Sequence, residues 1–291
     1  NQSLTLQAAS LGLSDTLTFF SPSIIAEAAN GGGTSLAVNN ASLGNINVDA
    51  NVAFSGNGVL SLASLGNGSL TGAGVISAES LVLEVANGSI STATNVSALT
   101  ATATNGSIAI SEADAITLTN LTSATGNVNV TAGGGTTVEA VEATVGDVAL
   151  TGGSLIFNGT TTAGRDLSLN ATADGVNLAT STLFFPGNLA VTATGAITQN
   201  GSLNVSGNTA LAAGSGIVLT DATNTFTGPV AINATGDVSL SDADTIAIAA
   251  STITGNLTIT AAGAITDSGA ITITGGTTLA AGTVNDITLD N

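Results

Sequence analysis

The chain repeats one stretch of sequence at a long, fixed offset. Residues 255–282 read GNLTITAAGAITDSGAITITGGTTLAAG, and residues 187–214 read GNLAVTATGAITQNGSLNVSGNTALAAG, an offset of 68 (255 − 187 = 68). Within each copy, aliphatic residues alternate with Thr, Ser or Asn, which is the period of a strand with one buried face and the threonines on the other. Gly residues between these runs allow turns. A long repeat made of short strands predicts stacked coils.

A shorter unit recurs inside this offset. It consists of Gly, then Asn, Asp or Ser, then two aliphatic residues separated by one residue, as at Gly106, Gly126 and Gly255. Neighbouring units start 18 to 20 residues apart (126 − 106 = 20; 255 − 236 = 19). Three coils fit the offset of 68, so one coil is about 20 to 23 residues. Strands that return after one coil are parallel, with right-handed connections. The sequence predicts one all-β, right-handed parallel β-helix (β-solenoid) of about 13 to 15 coils.

The repeat divides the chain into segments. We expect solenoid coils over residues 44–291, with three-coil modules near 106–164, 165–235 and 236–291. Residues 1–43 are an irregular N-terminal segment that either caps the solenoid or forms a degenerate first coil. This segment contains strand-like pieces around Leu4–Leu6 and Leu17–Phe19, and a helical turn is predicted in SIIAEAAN.

The alternation also predicts which side chains form the core. The positions expected to point inward are Leu257, Ile259, Ile271 and Ile273, and their counterparts Leu189, Val191, Leu203 and Val205. The seven Phe residues are expected to fill corners of the coil, three groups of them preceding Pro, rather than to bind a ligand: Phe19, Phe20, Phe54, Phe157, Phe184, Phe185 and Phe226.

Composition excludes several classes of partner. The net charge is −18, and Arg165 is the one Lys or Arg in the chain. Nucleic acid binding needs basic residues for phosphate contacts, and anionic membrane surfaces attract them for the same reason. No run approaches the roughly 18 apolar residues of a membrane span. The regular aliphatic positions argue against disorder, and the absence of Cys suits a chain that is exported unfolded.

Two acidic pairs occupy equivalent places in two modules. Glu112–Asp114 lies in SEAD and Asp242–Asp244 in SDAD. Carboxylates at i and i+2 of a strand point the same way, so such a pair suits Ca²⁺; the alternative is an acidic turn that faces water. No residue is predicted to be catalytic, cofactor-binding or metal-binding, and no cofactor is expected beyond this weak indication of Ca²⁺.

Two surface patterns have plain structural explanations as well as functional ones. The triplets Thr252–Thr254, Thr258–Thr260 and Thr272–Thr274 suit an ice-ordering face, but outward Thr is ordinary on strands. Asn-x-Ser/Thr sequences are acceptors for N-glycosylation, yet outward Asn followed by outward Ser or Thr is also what the strand pattern produces. Examples are Asn67, Asn87, Asn105, Asn120, Asn170 and Asn256.

The repeat style resembles a known family, through GNLTITAAGAITDSGAITITGGTTLAAG, NDITLD and NTFTGPVAI over roughly residues 44–291. It is similar to the filamentous-haemagglutinin-like secreted adhesins and the giant β-strand-repeat surface proteins of bacteria. The resemblance implies a right-handed β-helix, export across the outer membrane, and a role in adhesion or biofilm. The Asn-Pro-Asn-Gly signature of that family's secretion domain is absent, since the prolines are Pro22, Pro186 and Pro229.

Together these features predict a non-catalytic, secreted structural protein that forms or belongs to a cell-surface fibre or adhesin. One alternative is a spacer or binding module of a larger adhesin, whose partner is a host or neighbouring cell surface or a polysaccharide. Another is a carbohydrate-processing β-helix enzyme, although sugar sites usually contain aromatic and basic residues that are scarce here. Asp290 matches Asp221 of the preceding module, so further coils are expected either from a longer polypeptide or from head-to-tail stacking of a second copy.

Overall fold

The computed structural model describes residues 10–13, 17–19, 24–27, 36–40, 45–49, 51–55, 59–178 and 183–291. The fold is all-β, without a helix in these ranges, and its parallel strands stack as a β-solenoid of about 12 turns. The predicted fold class is therefore confirmed. The number of turns lies just below the expected 13 to 15 because the first turns are long, with Ser10 pairing to Ala37 (37 − 10 = 27). The handedness stays a prediction.

The described chain divides into two compact units, Asn1–Ala149 and Leu150–Asn291. The strands of unit 1 are β1 Ser10–Leu13, β2 Leu17–Phe19, β3 Ile24–Glu27, β4 Leu36–Asn40, β5 Ile46–Val48, β6 Val52–Ser55, β7 Val59–Ser64, β8 Leu70–Val85, β9 Ile90–Ala103, β10 Ile108–Glu112, β11 Ile116–Ser123, β12 Val128–Ala132 and β13 Thr136–Ala143. Strand β14, Val148–Gly152, spans the boundary between the units.

Three stacks of parallel strands build unit 1. The first runs through β2, β5, the start of β8, the start of β9, β10 and β12. The second runs through β3, β6 and the middle parts of β8 and β9. The third runs through β1, β4, β7, the ends of β8 and β9, β11 and β13. A bulge between Thr71 and Val75 bends β8, and Gly72 there has φ +145°, which favours glycine.

Unit 2 repeats this plan with shorter strands. They are β15 Leu155–Ala163, β16 Leu167–Ala171, β17 Val176–Leu178, β18 Leu183–Phe185, β19 Leu189–Ala193, β20 Ile197–Gln199, β21 Leu203–Val205, β22 Thr209–Ala213, β23 Ile217–Leu219, β24 Thr225–Phe226, β25 Val230–Ala234, β26 Val238–Asp242, β27 Ile246–Ile248, β28 Ser251–Ile253, β29 Leu257–Ala261, β30 Ile265–Asp267, β31 Ile271–Ile273, β32 Thr277–Ala280 and β33 Ile287–Thr288.

The strands of unit 2 also form parallel stacks. One stack is β17, β20, β23, β26, β29 and β32. A second is β16, β19, β22, β25, β28 and β31. The remaining strands form two shorter stacks, β18, β21 and β24, and β27, β30 and β33, of which β27 also pairs with β25 through Ile248 and Val230. Each strand therefore repeats the position of the strand one turn earlier, as the sequence period predicts.

The core follows the predicted alternation. Leu189, Val191, Leu203, Val205, Leu257 and Ile259 are all buried, which confirms six of the eight inward positions. Ile271 and Ile273 are half-buried because β31 pairs with β28 on one side and, among the described residues, with no strand on the other. Phe54, Phe157, Phe185 and Phe226 are buried in the core, as expected of residues that fill corners; Phe20 and the side chains of Phe19 and Phe184 lie outside the described part.

Two expectations from the sequence are wrong in part. Residues 24–27 of the predicted helical turn form strand β3 instead, because they pair with Val52–Ser55 of the next turn and such pairing overrides local propensity. The Leu17–Phe19 piece is strand β2, as expected, while Leu4–Leu6 lies outside the described residues. Some Thr residues point inward rather than outward: Thr136, Thr161 and Thr209 are buried, and their hydroxyls have no hydrogen-bond partner in the described part of the chain. Thr is close to Val in size, so it fits the same position.

The Gly of the short repeat is required by the close approach of successive turns. A Cβ on Gly207 would lie 2.5 Å from the carbonyl oxygen of Gly187, and one on Gly88 would lie 2.7 Å from that of Gly68. Cβ atoms do not approach backbone oxygens so closely. The corner of each turn therefore rests directly on the backbone of the turn before it.

The residue after this Gly makes a second contact between turns, which we call the corner ladder. Its side-chain oxygen accepts a hydrogen bond from the backbone N–H at the same position of the next turn. In unit 1 the acceptors are Asn45, Ser69, Ser89, Ser107 and Asn127, over 2.9–3.1 Å. In unit 2 they are Asp166 and Asn188 at one corner and Asp237 and Asn256 at another, over 2.7–2.9 Å.

The corner ladder explains why the repeat allows Asn, Asp or Ser at one position. All three carry an oxygen that reaches an N–H about one strand spacing away. The ladder stops above Asn208, where Pro229 occupies the next corner and has no N–H to donate. Turn lengths vary along it, from 24 residues between Asn45 and Ser69 to 18 between Ser89 and Ser107, so the extra residues lie outside the corners.

We expect Gly207→Ala to destabilise unit 2 by about 1–3 kcal/mol, since the added methyl must push two turns apart. The matched variant is Gly276→Ala, whose Cβ would contact only the side chain of Asn256, at 3.3 Å. It should change stability by less than about 1 kcal/mol. Urea denaturation followed by circular dichroism measures both, and equal midpoints for the two variants would contradict the role of corner clearance.

Candidate functional site

The acidic pairs are the sites that the sequence singled out, and the structure separates the two members of each. Glu112 ends strand β10 and is buried, whereas Asp114 lies in the following bend and is exposed. The Glu112 carboxylate accepts hydrogen bonds from the Thr94 hydroxyl (2.7 Å), from Val96 N (3.2 Å) and from Ala113 N (2.9 Å). The Glu112 carboxylate therefore accepts backbone N–H groups at the end of β10, where the hydrogen bonds between strands are interrupted.

Asp242 has the same arrangement in unit 2. It ends strand β26, is buried, and accepts hydrogen bonds from Phe226 N (2.9 Å) and Asp244 N (2.7 Å). Both carboxylates reach a backbone N–H 16 residues back in the chain, Val96 for Glu112 and Phe226 for Asp242. The two modules thus share one structural device, a buried acid that joins a turn to the turn before it.

Burial controls the titration of Asp242. Desolvation raises the pKa of its carboxyl, the hydrogen bonds from Asp244 N and Phe226 N oppose this, and the nearby Asp244 carboxylate adds to it. The carboxylate is thus held in an apolar corner by two N–H donors and is repelled by a like charge.

These contacts correct the expectation that the paired carboxylates point the same way. Alternation applies within a strand, but Asp114 and Asp244 lie beyond the ends of β10 and β26. An acidic turn facing water describes Asp114 and Asp244, and not Glu112 or Asp242. Within the described residues no group of three or more His, Cys, Asp or Glu side chains could hold a metal ion. Ca²⁺ could draw on one exposed carboxylate in each pair.

Concave regions on the described surface include the following three. A notch of about 440 Å³ beside Asp244 is lined by Thr225, Thr227 and Thr245, together with small residues of β27 and of the bend that follows β29. A shallow groove of about 480 Å³ in unit 1 has a floor of Ser91, Ala93, Ala109, Ser111, Asn129 and Thr131. The third, of about 210 Å³, lies over the last strands of unit 2 and is lined mainly by aliphatic residues, among them Ile271, Ile273, Leu279 and Leu289, together with the polar Asp267, Thr277 and Asn291.

The Thr triplets lie on the outer surface, as expected, but they do not form a continuous row. Thr252 aligns with Thr272, and Thr258 with Thr278, in neighbouring turns. One turn earlier the partners are Asn233 and Ser239. Thr254 and Thr274 use their hydroxyls to bond carbonyls of the preceding turn, Thr235 O at 2.7 Å and Thr254 O at 2.5 Å. These contacts give the triplets a structural role.

The Asn-Gly-Ser sequences also have a structural explanation. Asn87, Gly88 and Ser89 occupy one corner, and Asn105, Gly106 and Ser107 lie directly above it. Ser is needed for the corner ladder, and Gly is needed for clearance. Of the three residues, only the Asn is exposed at the surface. The corner therefore produces the Asn-x-Ser pattern without any need for a glycan.

One buried polar contact was missed by sequence reasoning. Asn224 is fully buried, and its carboxamide accepts from Leu203 N and from Gln199 Nε2, both at 2.8 Å, while its own Nδ2 donates to Gln199 Oε1 at 2.8 Å. The pair anchors the loop before β24. In that loop the Thr223 hydroxyl and N–H hold the pKa of the Asp221 carboxyl below its usual range. A Gln and an Asn 25 residues apart give no local signal of this contact.

Comparison with known proteins supports the repeat and adds no activity. A family model described as repeats of unknown function (DUF5649) matches residues 164–233 and 235–291. Both matched stretches lie in unit 2, and they fit a repeat protein with a β-solenoid fold. No curated protein and no solved structure matches significantly. Nothing in these matches is specific to filamentous-haemagglutinin-like adhesins. No helix in the described residues is long and apolar enough to cross a bilayer.

We expect Asp242→Ala to lower the free energy of unfolding by about 2–3 kcal/mol, because it leaves the buried N–H of Phe226 without its acceptor. Asp244→Ala, two residues along and exposed, should change it by less than about 0.5 kcal/mol. Chemical denaturation gives both values. A cost for Asp244→Ala as large as that for Asp242→Ala would show that the exposed member matters more than its contacts indicate.

The raised pKa of Asp242 makes stability depend on pH. The folded state holds this proton more tightly than the unfolded chain, in which the carboxyl has the ordinary aspartate pKa of 3.8. The contribution of Asp242 to stability is therefore fully present below that value and is lost as pH rises through the higher folded pKa. We expect Asp242→Asn to lose this part of the pH dependence and Asp174→Asn, at an exposed position, to keep it. Denaturation midpoints between about pH 3.5 and 7 test this, and parallel curves for wild type and Asp242→Asn would contradict it.

Proposed function

We propose that this chain is a non-catalytic structural module of a secreted, cell-surface fibre or adhesin, in which further β-solenoid turns stack on its last turn. The observation that carries the proposal is the aliphatic depression on the last strands of unit 2. Ile273 and Leu279 are half-buried there, while Ile253 and Ile259, their partners one turn earlier, are fully buried. A further turn would bury the exposed area, at roughly 25 cal/mol per Å² of apolar surface.

Charge favours stacking at this end over association through the sides. Four of the residues that line the depression, Ile271, Ile273, Leu279 and Leu289, are aliphatic and partly exposed. The net charge of −18 makes lateral contacts between copies repulsive. The added turn comes either from the same polypeptide or from a second copy in a head-to-tail contact. The absence of Cys suits a chain that is exported unfolded.

Two alternatives make different use of the surface. As a spacer or binding module of a larger adhesin, the chain would hold a host or neighbouring cell surface or a polysaccharide, and the shallow groove in unit 1 is one region of suitable shape. As a carbohydrate-processing enzyme, it would need a pair of accessible carboxylates at a set separation. Glu112 and Asp242 are buried and occupied by backbone donors, which favours the structural role.

Light scattering and electron microscopy of the 291-residue chain test the stacking. We expect end-to-end association that Ile273→Asp abolishes, because the new carboxylate would be buried in the contact. The matched control is Thr272→Asp, which adds the same charge to the exposed side of the same strand and should associate like the wild type. A monodisperse wild-type monomer would rule out self-stacking.

A separate assay addresses the enzyme alternative. Incubation of the chain with a panel of polysaccharides, with and without Ca²⁺, should give no turnover. Turnover that is lost on replacing an exposed carboxylate, such as Asp244→Asn, would favour the enzyme over the structural module. Binding without turnover would favour the binding module.

A further inference from the structure

The stacked Asn-Gly-Ser corners of unit 1 hold two asparagines in a directional contact. Asn87 and Asn105 are both exposed, and they lie one above the other, 18 residues apart. Asn105 Nδ2 donates to Asn87 Oδ1 at 2.7 Å, and Asn87 Nδ2 donates to Gly66 O at 3.2 Å. Both ends of the Asn87 carboxamide are therefore engaged, whereas Asn105 uses only its amide nitrogen among the described residues.

Each of these asparagines is followed by Gly, which leaves the backbone nitrogen sterically accessible to the Asn side chain. In the described part of the chain, Gly88 N and Gly106 N donate no backbone hydrogen bond, whereas the corner Gly207 N donates to Gly187 O at 2.9 Å. A free Gly nitrogen next to an exposed Asn carboxamide is the arrangement that spontaneous deamidation requires.

We propose that Asn105 and Asn87 are deamidation sites that react in a fixed order, Asn105 first and Asn87 second. The Gly106 nitrogen gives up its proton to solvent and attacks Cγ of Asn105. The N–Cγ bond forms, the Cγ–Nδ2 bond breaks, and ammonia leaves. Water then opens the cyclic imide at one of its two carbonyls and yields Asp or isoaspartate. The net reaction consumes one water and releases one ammonia.

The order follows from the shared hydrogen bond. To expose its Cγ, Asn105 must break one side-chain hydrogen bond, while Asn87 must break two. When residue 105 becomes a carboxylate, it can no longer donate to Asn87 Oδ1, and two oxygens then face each other. The first reaction thereby removes the contact that protects the second site.

The reaction has a structural consequence at the corner. An isoaspartate adds a carbon to the main chain just before Gly106. There is little space at this corner, because even a Cβ on Gly106 would overlap Gly88 O. The lengthened backbone cannot keep Ser107 N on the hydroxyl of Ser89, a contact of 3.1 Å.

The test is a time course of the folded full chain at mildly alkaline pH, with peptide mapping by mass spectrometry. Asn105 should convert about fivefold faster than Asn87, the rate equivalent of one exposed hydrogen bond, and Asn87 should convert after a lag. In denaturant the two sites should react at equal rates, because both lie in Asn-Gly-Ser. Faster conversion of Asn87 in the folded chain would overturn the proposal.

A variant tests the protecting contact directly. Asn105→Asp should remove the lag and speed conversion of Asn87 about fivefold, since it takes away one hydrogen bond. The matched control is Thr125→Asp, which adds the same charge at the exposed corner one turn further on and makes no contact with Asn87. An unchanged rate at Asn87 in Asn105→Asp, or equal acceleration in both variants, would contradict the mechanism. Denaturation midpoints check that both variants are folded.

Discussion

The close contact between the corners of successive turns is the constraint on which the rest of the structure depends. Parallel strands stack about 4.8 Å apart, and at the corners that carry Gly this spacing leaves no room for a side chain on the residue that rests on the carbonyl below. Gly supplies the clearance, and the next residue supplies an oxygen for the N–H above. Because strand hydrogen bonds weaken where the chain bends, the corner ladder keeps the register from slipping between turns. Extra residues are accommodated elsewhere, which explains why turns of 18 and of 24 residues belong to one stack.

Where the corner ladder or the strand pairing is interrupted, buried polar side chains accept hydrogen bonds from the backbone N–H groups. Glu112 and Asp242 accept backbone N–H groups that have no strand partner. Ser251 does the same for Ile232 N at 3.0 Å, and the Asn224 carboxamide serves Leu203 N. An unpaired buried N–H costs about 1–3 kcal/mol of stability. The hydrogen bond that each of these side chains accepts therefore offsets the cost of burying it, even when the side chain is charged. Glu112, Asp242, Ser251 and Asn224 therefore mark places where the regular pairing is interrupted, and their burial is explained without a ligand.

Most of the fold could be predicted from the sequence, because period and alternation are properties of every turn. The inward positions of Leu189, Val191, Leu257 and Ile259 follow from counting by two. The errors arose where a residue's role depends on a neighbour one turn away. Ile24–Glu27 is a strand because Val52–Ser55 pairs with it. Glu112 and Asp114 point to different sides because the strand ends between them. Thr209 is buried because its partners in the stack are Leu189 and Val230. Local sequence does not show these contacts. It gives even less indication of the contact between Gln199 and Asn224, which are 25 residues apart.

The same reasoning separates the parts of the surface that the fold dictates from those it leaves free. Gly, the corner Asn, Asp or Ser, and the aliphatic pair are fixed by contacts between turns, so motifs composed of these residues say little about function. Thr254 and Thr274 belong to this group as well, since their hydroxyls bond the turn beneath. Many outward residues at the middle of a strand make no such contact, as the aligned Ser91, Ala109 and Asn129 illustrate. Thr71 in the same row is an exception, because its hydroxyl donates to Asn47 Oδ1 of the preceding turn at 3.2 Å. Variation among related repeats should therefore be sought at the outward positions without such contacts, because a binding surface can change there while the contacts between turns are kept.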